Sequence, residues 1–420
     1  MTVGLLPYDA MMECDVLVVG AGPAGSSAAR AASLGGADTI FIDKKRELGV
    51  PIQCAGAIGI YLLPFLPFKI PRELLTWKID ELHFHCRDIV IKRKGGPWTS
   101  YAIDRSRFDR WLANLAVEYG AKLWLDTELI DLKIGEDFHT SKALTKRGGE
   151  TEEISFKVLI AADGVNSTVI EKLGVKNQGP IIANAVSYEL KNGNLKGKNV
   201  DQLYFGEFAP TGYAYIFPIS DDRANIGVGS ISDEKDLEKC FKKFCELPQI
   251  KDQIKDAEKV GEKSGSVPFS PLTEKWRYGN VLLAGDAAAQ NLKPLVEGIL
   301  PSAICGSLAG ETAAKHISSG LPLSEYRRKV QKKMGAIFDE SDKYTDKLTE
   351  ISGYPRKMRF LLLIGLTSNV FSLDDVDSLK NVSGSVVEQK LIKWKNSRAK
   401  RFKTEASERL GILYLRLISR

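Results

Sequence analysis

The chain has little of what builds disulfide or metal centres: its 420 residues include six cysteines and four histidines. Cys14, Cys54, Cys86, Cys240, Cys245 and Cys305 are scattered, with no Cys-x-x-Cys pair and no Cys/His cluster at metal-ligand spacing. No disulfide framework, zinc site or iron–sulfur set is expected; reduced thiols in a cytoplasmic setting are. The sequence also lacks any run of ~18 apolar residues free of charge, so no transmembrane helix is expected. Its first dozen residues lack a basic segment followed by an apolar core, so neither is a secretory leader. Nor is charge one-sided: 59 basic residues against 53 acidic ones leave +6, too mild a balance for nucleic acid. What is present, 44% hydrophobic and 27% charged residues, is an ordinary globular profile of a length that suits two closely packed domains.

Residues 15–19 form an apolar, β-branched run that reads as a strand buried on both faces. It runs directly into Gly20-Ala-Gly22-Pro-Ala-Gly25 and then into a small-residue helix ending at Leu34. In this pattern Gly20 permits the tight turn and Gly22 lets backbone approach a pyrophosphate. Gly25 lets the helix pack closely on the sheet, and the helix start offers free N–H groups and a positive dipole end. A second strand, residues 39–42, ends in Asp43, where a carboxylate can bind ribose hydroxyls. A lone glycine motif is a weak signal. The strand before it, the helix after it and the acid at the next strand end together specify a dinucleotide.

Two further strand ends select FAD. Residues 157–162 end in Asp163-Gly164, and residues 280–284 end in Gly285-Asp286, followed by Pro294 and by Glu297-Gly298-Ile299 opening a helix. A carboxylate at the end of the latter strand can hold ribityl hydroxyls, and the helix start can stabilise negative charge on a reduced flavin. Asp163 and Asp286 are therefore both read as cofactor-binding.

At these residues the chain resembles the geranylgeranyl reductase family of FAD proteins, a branch of the p-hydroxybenzoate-hydroxylase-like fold. The resemblance spans about residues 15–316. Besides the glycine turn it is carried by Cys54-Ala55, Asp104-Arg105-Ser-Arg-Phe108-Asp109, Ala162-Asp163-Gly164, Pro210-Thr-Gly-Tyr213-Ala-Tyr215-Ile-Phe217-Pro218, and Gly285-Asp286 through Gly298-Ile299. Tyr215 stands where the family usually has Trp, and Ala57 where it usually has Gly. The segment Gln290-Asn-Leu-Lys293 is more polar than the usual loop. The resemblance implies FAD contacts at Ala24, Asp43, Cys54, Ala55, Ala57, Arg105, Asp286, Gly298 and Ile299, and a backbone contact to the adenine side at Leu129.

The expected fold is α/β: a discontinuous Rossmann-like FAD-binding domain at residues 12–60, 100–183 and 276–325, with an inserted substrate-binding sheet domain at 61–99 and 184–275. Within the insertion, residues 184–190, 201–205, 213–218 and 224–230 read as antiparallel strands joined by 81–92 into one sheet, with helices at 233–247 and 248–257 on its back. Residues 326–420 read as a helical C-terminal region. Tyr204, Phe205, Tyr213, Tyr215 and Phe217 are the expected wall of an apolar substrate chamber, with Tyr213 and Tyr215 on one face by period two. Cys54, Tyr213 and Tyr215 are the expected catalytic groups, with the Cys54 thiol positioning substrate or relaying a proton. The plain alternative for Cys54 is a small buried hydrophobe.

The resemblance implies hydrogenation of geranylgeranyl C=C bonds on an archaeal-type ether lipid, with hydride from reduced FAD N5 and a separate proton. The alternatives are an NADPH- and O2-dependent monooxygenase or halogenase, and a flavoprotein passing electrons to quinone; no Trp-x-Trp-x-Ile tripeptide supports halogenation. No second dinucleotide fingerprint is present, so the electron donor is NADPH bound transiently or a small redox protein such as ferredoxin. Residues 388–420 interleave Lys and Arg with Leu391, Ile392, Trp394, Phe402, Leu410, Leu413 and Leu415. They read as a basic amphipathic segment that lies on the cytoplasmic membrane face, or as a helix packed on the protein. Residues 61–70 read as a second membrane-dipping loop or a buried cover.

Overall fold

Five parallel strands set the geometry of everything that follows. In a computed structural model that describes residues 12–51, 53–135, 141–175, 181–195, 197–231, 236–379, 382–401 and 403–408, they lie in the order Val281–Leu283, Glu150–Ala161, Met12–Val19, Thr39–Ile42, Lys122–Trp124. Their central residues, such as Val16, Leu17, Val18, Ile40, Phe41 and Ile160, are fully buried, which explains why these strands read as unbroken apolar runs. Register pairs Val19 with both Ala161 and Ile42, and Ala161 with Leu283. The loops that begin at Gly20, Asp43, Ala162 and Ala284 therefore leave the sheet along one edge.

One face of this sheet is covered by the helices Pro23–Leu34, Arg105–Glu118 and Ile299–Ser319. The first and last approach each other unusually closely: a β-carbon on Gly306 would stand 2.0 Å from the Ala24 carbonyl oxygen, and one on Gly310 2.1 Å from that of Ala28. Over the other face, Glu150–Ala161 continues into an antiparallel meander with Ser141–Arg147 and Thr127–Lys133.

A second sheet has seven strands in the order Glu258–Pro268, Ile182–Lys191, Arg223–Ser230, Gly212–Pro218, Val200–Tyr204, Glu81–Cys86, Ile89–Lys94. Two features differ from the sequence expectation. Residues 81–92 span most of a hairpin rather than simply joining the antiparallel strands, and Val200–Tyr204 pairs with Glu81–Cys86 in parallel, so the sheet is mixed where antiparallel pairing was expected. The eleven-residue edge strand Glu258–Pro268 escapes a reading by β-propensity, because it is built largely of Lys, Glu, Gly and Ser, residues depleted or neutral in strands. A small antiparallel sheet of Ala57–Gly59, Ser100–Ile103 and Leu75–Ile79 completes the strand content.

The seven-stranded sheet has two apolar faces. On its back, Ala214, Ile216, Ile226 and Val228 pack on the helices Leu237–Cys245 and Pro248–Ile254 through Phe244 and Ile250. On its front, Leu82, Phe84, Ile91 and Leu203 pack on the C-terminal helices through Leu361, Leu362, Val387 and Leu391. Those helices are Glu325–Ser352, Arg356–Thr367, Leu373–Ser378 and Gly384–Asn396. Among the described residues, no helix is long and apolar enough to cross a membrane.

Candidate active site

Between the loop edge of the parallel sheet and the front of the seven-stranded sheet lies a cavity of about 670 Å³. Its walls include Cys54, Ala55, Ala57, Arg105, Asp286, Gly298 and Ile299 from the first part, and Tyr213, Tyr215 and Phe217 from the second. Leu348, Leu363 and Thr367 of the C-terminal helices also line it.

At the glycine turn, Gly20 has φ +98 and its α-carbon lies against the neighbouring loop, where a β-carbon would fall 2.3 Å from the Ala162 carbonyl oxygen. Above Gly22 there is open space, with no atom within 4 Å of a β-carbon position. Ala24 sits in the first turn of the following helix, where N–H groups have no intrahelical acceptor. The Asp43 carboxylate accepts the Ala21 N–H at 2.8 Å and the Lys45 N–H at 2.9 Å, which fixes it beside the turn with lone pairs left over. Leu129 follows closely on Thr127, whose N–H donates to the Asp43 carbonyl, while its own side chain is buried in the core behind.

Asp163 has a different occupation from the one the sequence suggests. It accepts the Ser167 hydroxyl at 2.7 Å and the Val169 N–H at 3.1 Å, tying down the start of the short helix Thr168–Lys172. It does not line the cavity. Asp286 does, and its Oδ1 is buried without a hydrogen-bond partner. Burial raises the Asp286 pKa, opposed by Asn291, Arg105 and Lys293 around it.

The motif at residues 104–109 has a local mechanical explanation. Asp104 caps the helix Arg105–Glu118 by accepting the Ser106 N–H at 2.9 Å, and one turn on Asp109 holds the Arg105 guanidinium through two 2.9 Å hydrogen bonds. Burial opposes the charge of Arg105, but Asp109 and the adjacent Cys54 outweigh it and raise its pKa. The Cys54 sulfur accepts the Gly56 N–H at 3.3 Å. The Ala55 carbonyl accepts Asn225 Nδ2 at 2.8 Å, and Lys263 donates to Asn225 Oδ1 at 2.7 Å. This chain pins the cysteine turn to the floor of the seven-stranded sheet.

Period two puts Tyr213, Tyr215 and Phe217 on the front face, and all three line the cavity. The Tyr213 and Tyr215 rings lie 6.3 Å apart, and Tyr215 stacks on Phe217 at 4.6 Å. Opposite Tyr213 and Tyr215 in register stand Gly229 and Gly227, and the Tyr215 ring lies over the bare backbone of Gly227. The Tyr213 hydroxyl donates to the Leu295 carbonyl at 2.9 Å, joining the aromatic wall to the loop before Gly298. Burial pushes the Tyr215 phenol up to about 12 and raises that of Tyr213 as well, so both hydroxyls stay neutral. Tyr204 is not brought to this cavity: it occupies the back face, stacked on His85 at 4.4 Å and donating to Gln202 at 2.6 Å. Its neighbour Phe205 does line the cavity.

Two cavity acids were not singled out by the sequence reading. Glu297 is half-buried in the cavity wall, receives the Tyr61 hydroxyl on Oε1 at 3.3 Å and has a buried Oε2 without a hydrogen-bond partner. Burial pushes it up to about 7, against the lowering effect of Tyr61 and the Gly59 backbone. Asp201, 6% exposed, accepts the Ser100 hydroxyl at 3.1 Å, and burial pushes it up to about 7 too. Glu297 carried a linear signal as the residue before Gly298 at the opening of the helix, whereas Asp201 sits among polar neighbours and carried none.

The polar segment 290–293 also gains an explanation. Gln290 accepts the Gly285 N–H and donates to the Tyr326 hydroxyl, Asn291 donates to the Pro268 carbonyl, and the Lys293 N–H donates to Ser341. These bonds clamp the Asp286 loop to the helix Glu325–Ser352.

The donor set fits a flavin adenine dinucleotide: open space over an N–H-rich helix start, a fixed carboxylate at the next strand end, and an unpartnered buried oxygen on Asp286. Residues 75–292 and 15–64 each match a family model described as an FAD binding domain. A digeranylgeranylglycerophospholipid reductase of Methanococcus aeolicus is 32% identical over 353 residues, 81% of this chain and 88% of the relative. That of Methanocaldococcus jannaschii is 36% identical over 333 residues, 76% of this chain and 82% of the relative. The crystal structure of a geranylgeranyl bacteriochlorophyll reductase-like protein from Thermoplasma acidophilum has a TM-score of 0.73 at 23% identity, covering 95% of this chain and 100% of that one, which establishes a common fold.

Proposed function

The chain belongs to the digeranylgeranylglycerophospholipid reductase family, and from that membership we propose how its cavity carries out FAD-dependent hydrogenation of geranylgeranyl lipids. It is an FAD-dependent oxidoreductase acting on isoprenoid C=C bonds, and the lipid is its substrate. Hydroxylation, halogenation and electron transfer to quinone are not favoured, since the curated relatives are reductases. Reduced FAD supplies hydride from N5.

The observation that carries the reading is the walled cavity itself, with a dinucleotide-binding edge on one side and a buried aromatic face on the other. In this reading residues 12–60, 100–183 and 276–325 hold the dinucleotide, and 61–99 with 184–275 the substrate. An isolated alkene offers no carbonyl to polarise, so the protein's part is orientation, exclusion of water and provision of a proton. Tyr213, Tyr215 and Phe217 present flat apolar area to a prenyl chain, and Leu348 and Leu363 extend that surface. The Cys54 thiol, held by the Gly56 N–H beside Arg105, positions the chain at the reacting bond.

Electrons come from NADPH or from a small redox protein such as ferredoxin. The lipid is collected by peripheral contact at the cytoplasmic membrane face. Exposed Lys390, Ile392, Lys393 and Lys395 support that contact, whereas Leu391 and Trp394 are buried in the protein. Phe402, Leu410, Leu413 and Leu415 lie outside the described residues. In the segment 61–70, Leu62 and Phe65 belong to the core, the arrangement of a cover.

The test is anaerobic. The protein is reduced, mixed with a geranylgeranyl ether phospholipid, and followed by flavin absorbance and lipid mass spectrometry. Reoxidation with a gain of two hydrogens per reduced bond is expected. Reoxidation only by oxygen plus a phenol would replace the reading with a hydroxylase.

A further inference from the structure

Saturating a C=C bond takes one hydride and one proton, and the groups that could surrender a proton into this cavity are few. Tyr213 and Tyr215 are held neutral by burial and are weaker acids than free phenols, so neither releases a proton readily near neutral pH. Arg105 is locked in a two-bond pair with Asp109. Asp286 faces the cationic groups of Arg105 and Lys293. Asp201 accepts the Ser100 hydroxyl on Oδ2 and projects from the seven-stranded sheet, not from the loop edge of the parallel sheet where the cofactor contacts gather.

Glu297 is placed differently. It immediately precedes Gly298 and the helix Ile299–Ser319, at the junction where the loop edge of the parallel sheet meets the aromatic wall. Its backbone is fixed by reciprocal hydrogen bonds with Leu292, at 2.9 and 3.0 Å. Its side chain reaches Gly59: a β-carbon there would stand 2.8 Å from Glu297 Oε2, so the absence of a side chain makes room for the carboxyl group. The Tyr61 hydroxyl from the turn Ile60–Phe65 is its hydrogen-bond partner, the Gly59 backbone lies alongside, and Tyr213 faces it from the sheet. All of these are neutral, so nothing in contact with it compensates a negative charge, and burial favours the protonated acid.

Resting on the reductase reading, we infer that Glu297 is the acid that protonates the isoprenoid alkene. One alkene carbon takes the hydride that the reaction supplies. The other takes the carboxyl proton, the C=C π pair becoming the two electrons of the new C–H bond. The carboxylate left on Glu297 regains its proton from solvent before the next turnover. Tyr61 is a positioning residue that orients the carboxyl group through Oε1.

Glu297→Gln keeps the shape and removes the acid. It is expected to bind FAD and to be reduced as the wild type is, while alkene reduction falls by roughly 10²- to 10⁴-fold, the range of general-acid contributions. Wild-type turnover is expected to decline as pH rises through about 7, because only the protonated acid is competent. In the flavin-free protein, the infrared carbonyl band of a protonated carboxyl group should titrate over the same range and be missing in the variant. Should Glu297→Gln fail to hold flavin, Tyr61→Phe carries the test: losing a hydrogen bond that favours the carboxylate should move the alkaline limb and the infrared titration to higher pH. An unchanged rate in Glu297→Gln, or a limb unmoved in Tyr61→Phe, overturns the assignment. A wild-type protein inert towards the lipid would instead count against the reductase reading, and the infrared titration would still show whether the acid is present.

Discussion

Tyr215 lies directly over Gly227 on the neighbouring strand: a β-carbon on that glycine would stand 2.6 Å from the tyrosine ring and its hydroxyl. The same position would fall 2.7 Å from the Val186 carbonyl, so backbone blocks it on one side and the ring, which borders the cavity, must give on the other. Gly227→Ala is therefore expected to lift the ring into the cavity and destabilise the fold by about 1–3 kcal/mol. Prenyl reduction should fall more than FAD binding. Urea denaturation and flavin titration, run alongside turnover, check this.

Cys54→Ala should retain FAD and lose most alkene reduction. The thiol sits between the Gly56 N–H and Arg105 in the cavity wall, and alanine leaves that wall intact but removes the sulfur. Single-turnover oxidation of the reduced protein by lipid measures the loss; a rate equal to the wild type removes Cys54 from the mechanism.

Asp201 should make the protein less stable as pH rises. Burial pushes its folded pKa up to about 7, above the ordinary carboxylate range near 4, so between those limits the unfolded chain releases a proton that the folded one keeps. The stability it contributes is complete below about pH 4, declines through the interval and is gone above pH 7. Asp201→Asn should equal the wild type near pH 4 and exceed it by a few kcal/mol, in order of magnitude, at pH 8, as read by thermal melts at both values.

Glu408 is the counter-ion of Arg93, which is 1% exposed and sandwiched between Trp98 and Trp394 at 4.9 and 5.3 Å. Glu408→Ala leaves that guanidinium buried and uncompensated, at an expected cost of about 3–5 kcal/mol. The double variant Arg93→Met/Glu408→Ala should recover much of it. Chemical denaturation of both distinguishes charge burial from lost packing.

The parallel sheet and its cofactor edge were legible because their constraints are local. Residues 15–25 combine a buried strand, a turn and a helix start within one short stretch, and register does the rest. Tyr213 and Tyr215 were legible as a pair because strand period is invariant. Tyr204 was misplaced, since one step along a strand reverses the face, and neither Tyr204 nor Phe205 says which face is which. Asp163 shows why an acid at a strand end is ambiguous in sequence: it can serve a ligand or a nearby N–H, and here Ser167 and Val169 hydrogen-bond to it. The raised acidity range of Glu297 and Asp201 was invisible because it comes from burial by distant segments.

The two close approaches between the helices Pro23–Leu34 and Ile299–Ser319 act as a caliper. Each helix begins at one end of the cofactor edge, so their spacing gauges the distance between the phosphate cradle and the Gly298 end. Two missing methyl groups, at Gly306 and Gly310, hold that gauge shut. A single added carbon there would spread the jaws, loosening the phosphate cradle from a position packed between the two helices.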